Sequence, residues 1–344
     1  MSVLDIGRAF VENKVLVGAF KECCLCLGDV DRVGREIMVS PRGTPGDFVI
    51  SAGALPAAMY MPHRNFFSTF FQAVYALLDI APERRLFYGR INYLFRIWVT
   101  SADNLLDDED KVFFPIKMPA DSRVMRQVVA VMAADRIMGR FIAEAVSGGV
   151  ITPEQARIVA DGTLQVLLPS AAEEASEEAG IVKRPRPEYV LNTIHQLKTG
   201  LLFHLPLFGP ERIEKEVDLR VMALARQGLG KFGLGCQLAD DMRDLARDHI
   251  ERRHNYALSL MTYQHRAAGK RLKEMEGDLP VDKAVFHQFQ EELTPVARDA
   301  YGFMVEGLSL LDACGLGLGE AARRAVALGM FKALDIEKAV GWIR

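Results

Sequence analysis

The chain has 344 residues, of which 50% are hydrophobic and 25% are charged, so it can bury a large core. Its formal net charge of −3 provides no basic field for nucleic acid or anionic lipid, which argues against such partners. No uncharged apolar run reaches the length of a membrane span, and the charged first fourteen residues are not typical of a signal peptide. We therefore expect a cytoplasmic protein without a membrane span.

Helical periodicity dominates the chain, and strand-like alternation is nearly absent. The first predicted helix, Val15–Leu27, is apolar and contains three of the five cysteines, which we interpret as reduced core residues rather than metal ligands. Later helix starts are predicted at Thr152–Gln155, which has the form of a capping box, and at Thr294–Pro295. About ten helices without a low-complexity linker predict an all-α fold, a single domain over residues 1–344 that forms a helical bundle around a central cavity.

The first acidic segment, residues 103–110, reads Asp-Asn-Leu-Leu-Asp-Asp-Glu-Asp and follows a strongly apolar helical pattern. At about 100° per residue, Asp103, Asp107 and Asp110 fall within about 60° of one another on a helix. Asp108 lies beside that face. The two leucines inside the segment add apolar bulk, as expected of the wall of a pocket.

The second acidic segment begins at Gln237 and continues to Asp248. Its polar residues share an arc of about 100°, which leaves the opposite side apolar and able to pack into a core. The residues on the arc are Gln237, Asp240, Asp241, Asp244 and Asp248. One interpretation is a solvated surface, but such a surface normally intersperses lysine or glutamate among its acids.

Coordination of a hard cation is the functional interpretation of both segments. Like charges at this spacing destabilise a helix, so a pattern of this kind requires a reason. Mg²⁺ prefers oxygen ligands and is usually held by a few carboxylates together with substrate phosphates. Two acidic stripes in one helical chain therefore predict Mg²⁺ ions held against a diphosphate.

The residues around the second stripe resemble a known family. Gly233–Asp244 resembles the second aspartate-rich motif of trans-polyprenyl diphosphate synthases, and Tyr189–Phe203 resembles the Lys-Thr segment of the same family. The likeness extends from about Arg90 to Tyr256. It implies the class I isoprenoid (terpenoid) synthase fold, a homodimer, and Mg²⁺-dependent ionisation of a prenyl diphosphate substrate, with isopentenyl diphosphate as a further substrate of chain elongation.

The resemblance also implies roles for individual residues. The metal ligands would come from both acidic segments, namely Asp103, Asp107, Asp108, Asp240, Asp241 and Asp244. Lys198 would contact the diphosphate, while Thr199 and Gln237 would be catalytic groups near the allylic cation. Arg247 and Arg252 would be further contacts of the diphosphate.

Three functions remain open at this point. Prenyl transfer is the leading hypothesis, because the second motif and the Lys-Thr segment are similar to those of polyprenyl synthases. Head-to-head condensation or cyclisation is the alternative, since the first motif and Arg243–Asp244 are closer to squalene and phytoene synthases. The usual residues for isopentenyl diphosphate are missing, and the arginines that could replace them are Arg42, Arg84, Arg85 and Arg90. A non-catalytic isoprenoid-binding subunit is the third hypothesis.

Apolar side chains directly before the first acidic segment have two interpretations. Phe95, Trp98 and Val99 would either set the depth of a substrate pocket, and so the product length, or pack within the core.

Overall fold

The computed structural model of the protein describes residues 12–107, 109–119, 122–275 and 285–343. Helices make up most of these ranges, which confirms the predicted all-α fold class. The helices are α1 (Lys14–Ile37), α2 (Phe66–Leu77), α3 (Pro82–Leu106), α4 (Arg123–Ser147), α5 (Pro153–Glu177), α6 (Pro187–Tyr189), α7 (Leu201–His204), α8 (Phe208–Ile213), α9 (Leu219–Arg243), α10 (Leu245–Ile250), α11 (Tyr256–Tyr263), α12 (Arg266–Glu274), α13 (Gln290–Ala313), α14 (Gly319–Ala333) and α15 (Val340–Ile343). Among the described residues, no helix is long and apolar enough to cross a membrane.

The chain divides into two compact units. The N-terminal unit comprises Lys14–Gly162 and Gly209–Val217. The C-terminal unit comprises Met1–Asn13, Thr163–Phe208 and Asp218–Arg344. The single domain over residues 1–344 stays a prediction.

The N-terminal unit is built from α1 to α4 around an aromatic and aliphatic core. Side chains that are almost completely buried there include Leu27, Phe70, Tyr75, Phe87 and Tyr93. Two strands of two residues each, β1 (Ser51–Ala52) and β2 (Ile116–Lys117), pair in antiparallel fashion. All five cysteines are free, and two of the three in α1 are buried, which agrees with the prediction of reduced core residues.

The two predicted helix starts have different outcomes. At the start of α5, the Thr152 N–H donates to Gln155 Oε1 at 2.9 Å and the Gln155 N–H donates to Thr152 Oγ1 at 3.2 Å, so the predicted capping box is confirmed. The prediction at Thr294–Pro295 was wrong, because α13 already begins at Gln290. Two glutamates in its first turn favour the earlier start, and the Thr294 hydroxyl donates back to the carbonyl oxygen of Gln290 at 2.7 Å.

In the C-terminal unit, the segment from Pro187 to Leu207 departs from regular α-helix. It contains two π-helical segments, Val190–Ile194 and Gln196–Gly200, and a 3-10 turn at Leu205–Leu207. The α-helix α7 ends at His204, the 3-10 turn accommodates Pro206, and α8 follows directly. Insertions of π-helix are common at functional sites, and the second one here contains the Lys-Thr pair.

Helices α9 and α13 of the C-terminal unit pack with their backbones close together. A Cβ atom added at Gly307 would lie 2.6 Å from the carbonyl oxygen of Gly228 and 2.6 Å from the backbone nitrogen of Phe232. The absence of a side chain at Gly307 is therefore required for the observed packing distance.

Replacing Gly307 with alanine is expected to lower the free energy of unfolding by about 1–3 kcal/mol, because the added methyl group forces the two helices apart. Gly302 on the same helix is the matched control, since a Cβ there would meet no atom within 4 Å. Gly302→Ala should leave stability unchanged or raise it by up to about 1 kcal/mol through helix propensity. Urea unfolding of both variants measures the difference, and equal stabilities would contradict the close packing.

Candidate functional site

The second acidic segment lies at the end of α9 and continues through Asp244 into α10. The apolar side of this segment is completely buried, as the helical spacing predicts; its residues are Leu238, Ala239, Met242 and Leu245. The acidic side is not simply solvated. Asp241 and Asp248 are buried, Asp244 is 8% exposed, and the Asp240 side chain is 36% exposed.

Asp240 and Asp244 converge on one guanidinium group. Nη2 of Arg243 lies 2.5 Å from Asp240 Oδ1 and 2.6 Å from Asp244 Oδ2. A second arginine, Arg247, donates through Nη2 to Asp244 Oδ2 at 3.0 Å. Two carboxylates already share one positively charged nitrogen atom, so their oxygen donors and their positions fit a hard cation such as Mg²⁺.

Asp241 belongs to a different set of contacts. Its Oδ1 accepts a hydrogen bond from Gln237 Nε2 at 2.9 Å, and its Oδ2 accepts the Tyr256 N–H at 2.6 Å. His195 Nε2 lies 2.9 Å from the same Oδ2. Burial raises the pKa of Asp241 well above its usual range and lowers the pKa of His195 to about 3. The predicted metal-binding role of Asp241 stays a prediction, and these contacts favour a supporting role.

Two of the predicted catalytic residues are in direct contact. The Thr199 hydroxyl, on the second π-helical segment, donates a hydrogen bond to Gln237 Oε1 on α9. Because the amide nitrogen of Gln237 donates to Asp241, both ends of this amide are engaged and its orientation is fixed. The structure thus brings the Lys-Thr segment and the second acidic segment together within the C-terminal unit.

Lys198 lies in a cluster of charged residues that the sequence analysis did not single out. Its Nζ donates to Glu177 Oε1 and lies 3.3 Å from Glu174 Oε1 and 3.6 Å from Glu173 Oε2. His254 completes the cluster, with its Nδ1 2.8 Å from Glu173 Oε1. The signal in the sequence was the spacing of Glu173 and Glu177, which places both carboxylates on one face of α5.

The pKa shifts in this cluster show that its charges support one another. Burial acts to raise the pKa of Glu177, but hydrogen bonds from His254 and the charge of Lys198 lower it to about 2. Burial acts to lower the pKa of His254, but hydrogen bonds to Glu173 and Glu177 raise it to about 9. Burial likewise opposes the charge of Lys198, yet the charges of the three glutamates raise its pKa.

The same cluster has the spacing of a metal site. Glu173, Glu177 and His254 place one donor atom each within 4.8 Å of one another. Here, however, Lys198 and a protonated His254 supply the positive charge that the carboxylates require. The cluster therefore acts as an ion-pair network that fixes the position of Lys198.

Arg252 is the last residue of the C-terminal unit that was predicted to contact the diphosphate, and its described contacts are with residues other than the aspartates. It has a positive φ of 57°, and its Nη2 donates to the carbonyl oxygen of Ala179 at 3.5 Å. A Cβ added at Gly180 would lie 3.0 Å from its Nε. The described contacts of Arg252 are therefore with the turn after α5.

In the N-terminal unit, α3 ends at Leu106, so the first acidic segment is only partly helical. Asp103 lies exposed in the last turn, and Asp107 follows the helix, with its N–H donating to the Asp103 carbonyl oxygen at 2.8 Å. The predicted helical face shared with Asp110 was wrong, because Asp110 lies in the loop beyond the helix end. Asp108 lies outside the described residues.

Side-chain hydrogen bonds hold the loop after α3. Asn104, which is buried, donates to the Lys111 carbonyl oxygen at 2.8 Å and accepts the Lys111 N–H at 3.1 Å. The carboxylate of Asp110 accepts from Arg126 at 3.0 Å and from Gln127 at 3.1 Å. Asp110 is thus engaged with α4.

One turn or more before Asp103, Phe95 is buried and Trp98 and Val99 are half-buried.

Comparison with solved structures identifies the fold. A geranylgeranyl pyrophosphate synthase from Lactobacillus brevis matches with 14% identity and a TM-score of 0.58, over 88% of this chain and 95% of that chain. A geranylgeranyl pyrophosphate synthetase from the archaeon Geoglobus acetivorans matches with 14% identity and a TM-score of 0.55, over 97% and 100% of the two chains. The chain has the isoprenoid synthase fold.

A third similar structure carries ligands. It is a polyprenyl synthase from Caulobacter crescentus complexed with calcium and isoprenyl diphosphate, with 15% identity, a TM-score of 0.50, and coverage of 96% of this chain and 98% of that chain. No protein-family model and no curated protein matches the sequence. Identities this low establish the fold alone, so the likeness to squalene and phytoene synthases, the homodimer and the cytoplasmic location stay predictions.

Proposed function

We propose that this protein is a Mg²⁺-dependent prenyltransferase that acts on an allylic prenyl diphosphate. The observation that carries the proposal is the convergence of Asp240 and Asp244 on a single cationic nitrogen atom. The shared fold supports it, since similar structures are prenyl diphosphate synthases and one of them was solved with calcium and isoprenyl diphosphate.

In this proposal Asp240 and Asp244 are metal ligands of the C-terminal unit, and Asp103 and Asp107 are metal ligands of the N-terminal unit. Bound Mg²⁺ would neutralise the charge that develops on the leaving diphosphate. Asp103 is exposed at the end of α3. Asp108 is proposed on its place in the sequence alone.

The other site residues position and stabilise the substrate. Arg247 is a proposed diphosphate contact, because its guanidinium lies 3.0 Å from a proposed metal ligand, Asp244. Gln237 and Thr199 present a fixed pair of dipoles, and such preorganised groups stabilise developing charge without reorganisation. Lys198 and Arg252 are proposed as diphosphate contacts from the sequence; in this structure Lys198 is held by glutamates.

A second candidate function is supported by the arginines of the N-terminal unit. Three of the arginines that could replace the missing binding site for isopentenyl diphosphate are paired with carboxylates. Arg84 Nε lies 2.7 Å from Glu214, and Arg85 Nη2 lies 2.5 Å from Glu22. Arg90 Nη2 lies 2.5 Å from an aspartate of α1. Because these arginines are already paired with carboxylates, they are less available to bind isopentenyl diphosphate. This favours condensation or cyclisation of a preformed prenyl diphosphate, which needs no isopentenyl diphosphate.

One experiment distinguishes these activities. The protein is incubated with Mg²⁺ and allylic diphosphates of increasing chain length, with and without isopentenyl diphosphate, while diphosphate release and extracted products are recorded. Longer products that require isopentenyl diphosphate support prenyl transfer by elongation. Turnover without it supports condensation or cyclisation. No release with any substrate would contradict both activities and favour a non-catalytic isoprenoid-binding subunit.

A further inference from the structure

The second acidic motif contains an arginine between two of its aspartates, Asp240 and Asp244. Arg243 precedes Asp244 directly and follows Asp240 by three residues, and its side chain contacts both carboxylates. Its Nε also donates to Asp244 Oδ1 at 2.8 Å, so the guanidinium binds Asp244 through two parallel hydrogen bonds. Nη2 of the same guanidinium lies 2.5 Å from Asp240 Oδ1.

These contacts are of the strong kind. A planar guanidinium that binds a carboxylate through two nitrogens forms charge-assisted hydrogen bonds of fixed geometry. The Arg243 side chain is 16% exposed and that of Asp244 is 8% exposed, so the pair is partly removed from water. Without a cation between them, Asp240 and Asp244 would be like charges at a spacing of four residues, which destabilises a helix.

We propose that Arg243 competes with divalent cations for Asp240 and Asp244 and thereby sets the metal affinity of this motif. The inference rests on the proposed function, which makes these two aspartates metal ligands. Arg243 already contacts both oxygens of Asp244 and Oδ1 of Asp240, which a metal ion bound between the two carboxylates would also approach. Metal binding therefore requires this guanidinium to move away. The loss of its contacts makes the free energy of metal binding less favourable.

The test is a titration of the purified protein with Mn²⁺ in the absence of substrate, followed by electron paramagnetic resonance of free Mn²⁺. Arg243→Leu is expected to bind Mn²⁺ at least about tenfold more tightly than the unchanged protein, in line with the loss of charge-assisted hydrogen bonds. Arg243→Lys keeps the positive charge but cannot form the two parallel hydrogen bonds of the guanidinium. Its Mn²⁺ affinity should therefore lie between those of Arg243→Leu and the unchanged protein. It also keeps the inference testable if the leucine variant does not fold.

The matched control is Arg226→Leu, which removes the same charge from the same helix about 25 Å away along its axis. Its affinity should equal that of the unchanged protein, and an equal gain in both leucine variants would overturn the inference. Asp244→Asn distinguishes a failure of the competition from a failure of the metal site. If Asp244→Asn weakens binding but Arg243→Leu and Arg243→Lys do not change it, the competition is refuted and the metal site stands. If Asp244→Asn has no effect, or if no variant binds, the metal site and the competition both fail.

Discussion

Replacing both Asp240 and Asp244 with asparagine is expected to reduce diphosphate release from an allylic substrate by about 1000-fold or more, because a metal ion contributes several kcal/mol of charge stabilisation. Asparagine has nearly the same shape as aspartate but is a much weaker ligand for a hard cation. The measurement is the initial rate of diphosphate release at saturating Mg²⁺.

Asp218→Asn is the matched control for this double variant. Asp218 caps the start of the same helix, α9, and its carboxylate accepts the backbone N–H groups of Arg220 and Val221. Asparagine caps a helix about as well as aspartate does, so the control makes the same chemical change at little expected loss of stability. An active double variant, or a control that loses activity to the same extent, would contradict the assignment of Asp240 and Asp244.

Replacing Glu177 with glutamine is expected to lower the free energy of unfolding by about 3–5 kcal/mol, the usual effect of removing one partner of a buried ion pair. The Glu177 side chain is 1% exposed and accepts hydrogen bonds from Lys198 and from the His254 backbone N–H. Glutamine leaves these donors without their charged acceptor. Urea unfolding with an unchanged m-value measures the loss.

Glu174 provides the matched control on the same helix. Its side chain is 35% exposed and lies 3.3 Å from Lys198, so Glu174→Gln should lower stability by less than about 1 kcal/mol. The pH dependence provides a second check. Because the pKa of Glu177 is lowered from 4.5 to about 2, its stabilisation is present above pH 4.5 and is lost as the pH falls towards 2. Equal losses in the two variants would contradict the central role of Glu177.

Local features of the fold could be predicted because the signals for them lie within a few residues. The capping box at Thr152–Gln155 needs only side chains three positions apart. The apolar side of the second acidic segment follows from the helical repeat, and its four residues are completely buried. The start of α13 was missed, because Thr294–Pro295 has the form of a cap while glutamates further upstream also favour a helix start.

The candidate site could be predicted only in part, because many of its contacts join residues that are distant along the chain. Helical spacing gives the direction of a side chain but not what packs against it, so Asp241 was grouped with Asp240 although it is buried against His195 and Tyr256. Lys198 was singled out, yet the glutamates that hold it are about twenty residues upstream along the chain. Such partners are set by tertiary packing, which a single sequence does not reveal.

The most direct measurement of the central claim is calorimetric titration of inorganic diphosphate into the protein, in Mg²⁺ and again in excess chelator. We expect saturable binding that requires Mg²⁺ and is abolished in the double variant of Asp240 and Asp244. Binding that persists in chelator, or that is unchanged in the double variant, would contradict a diphosphate site built on these aspartates.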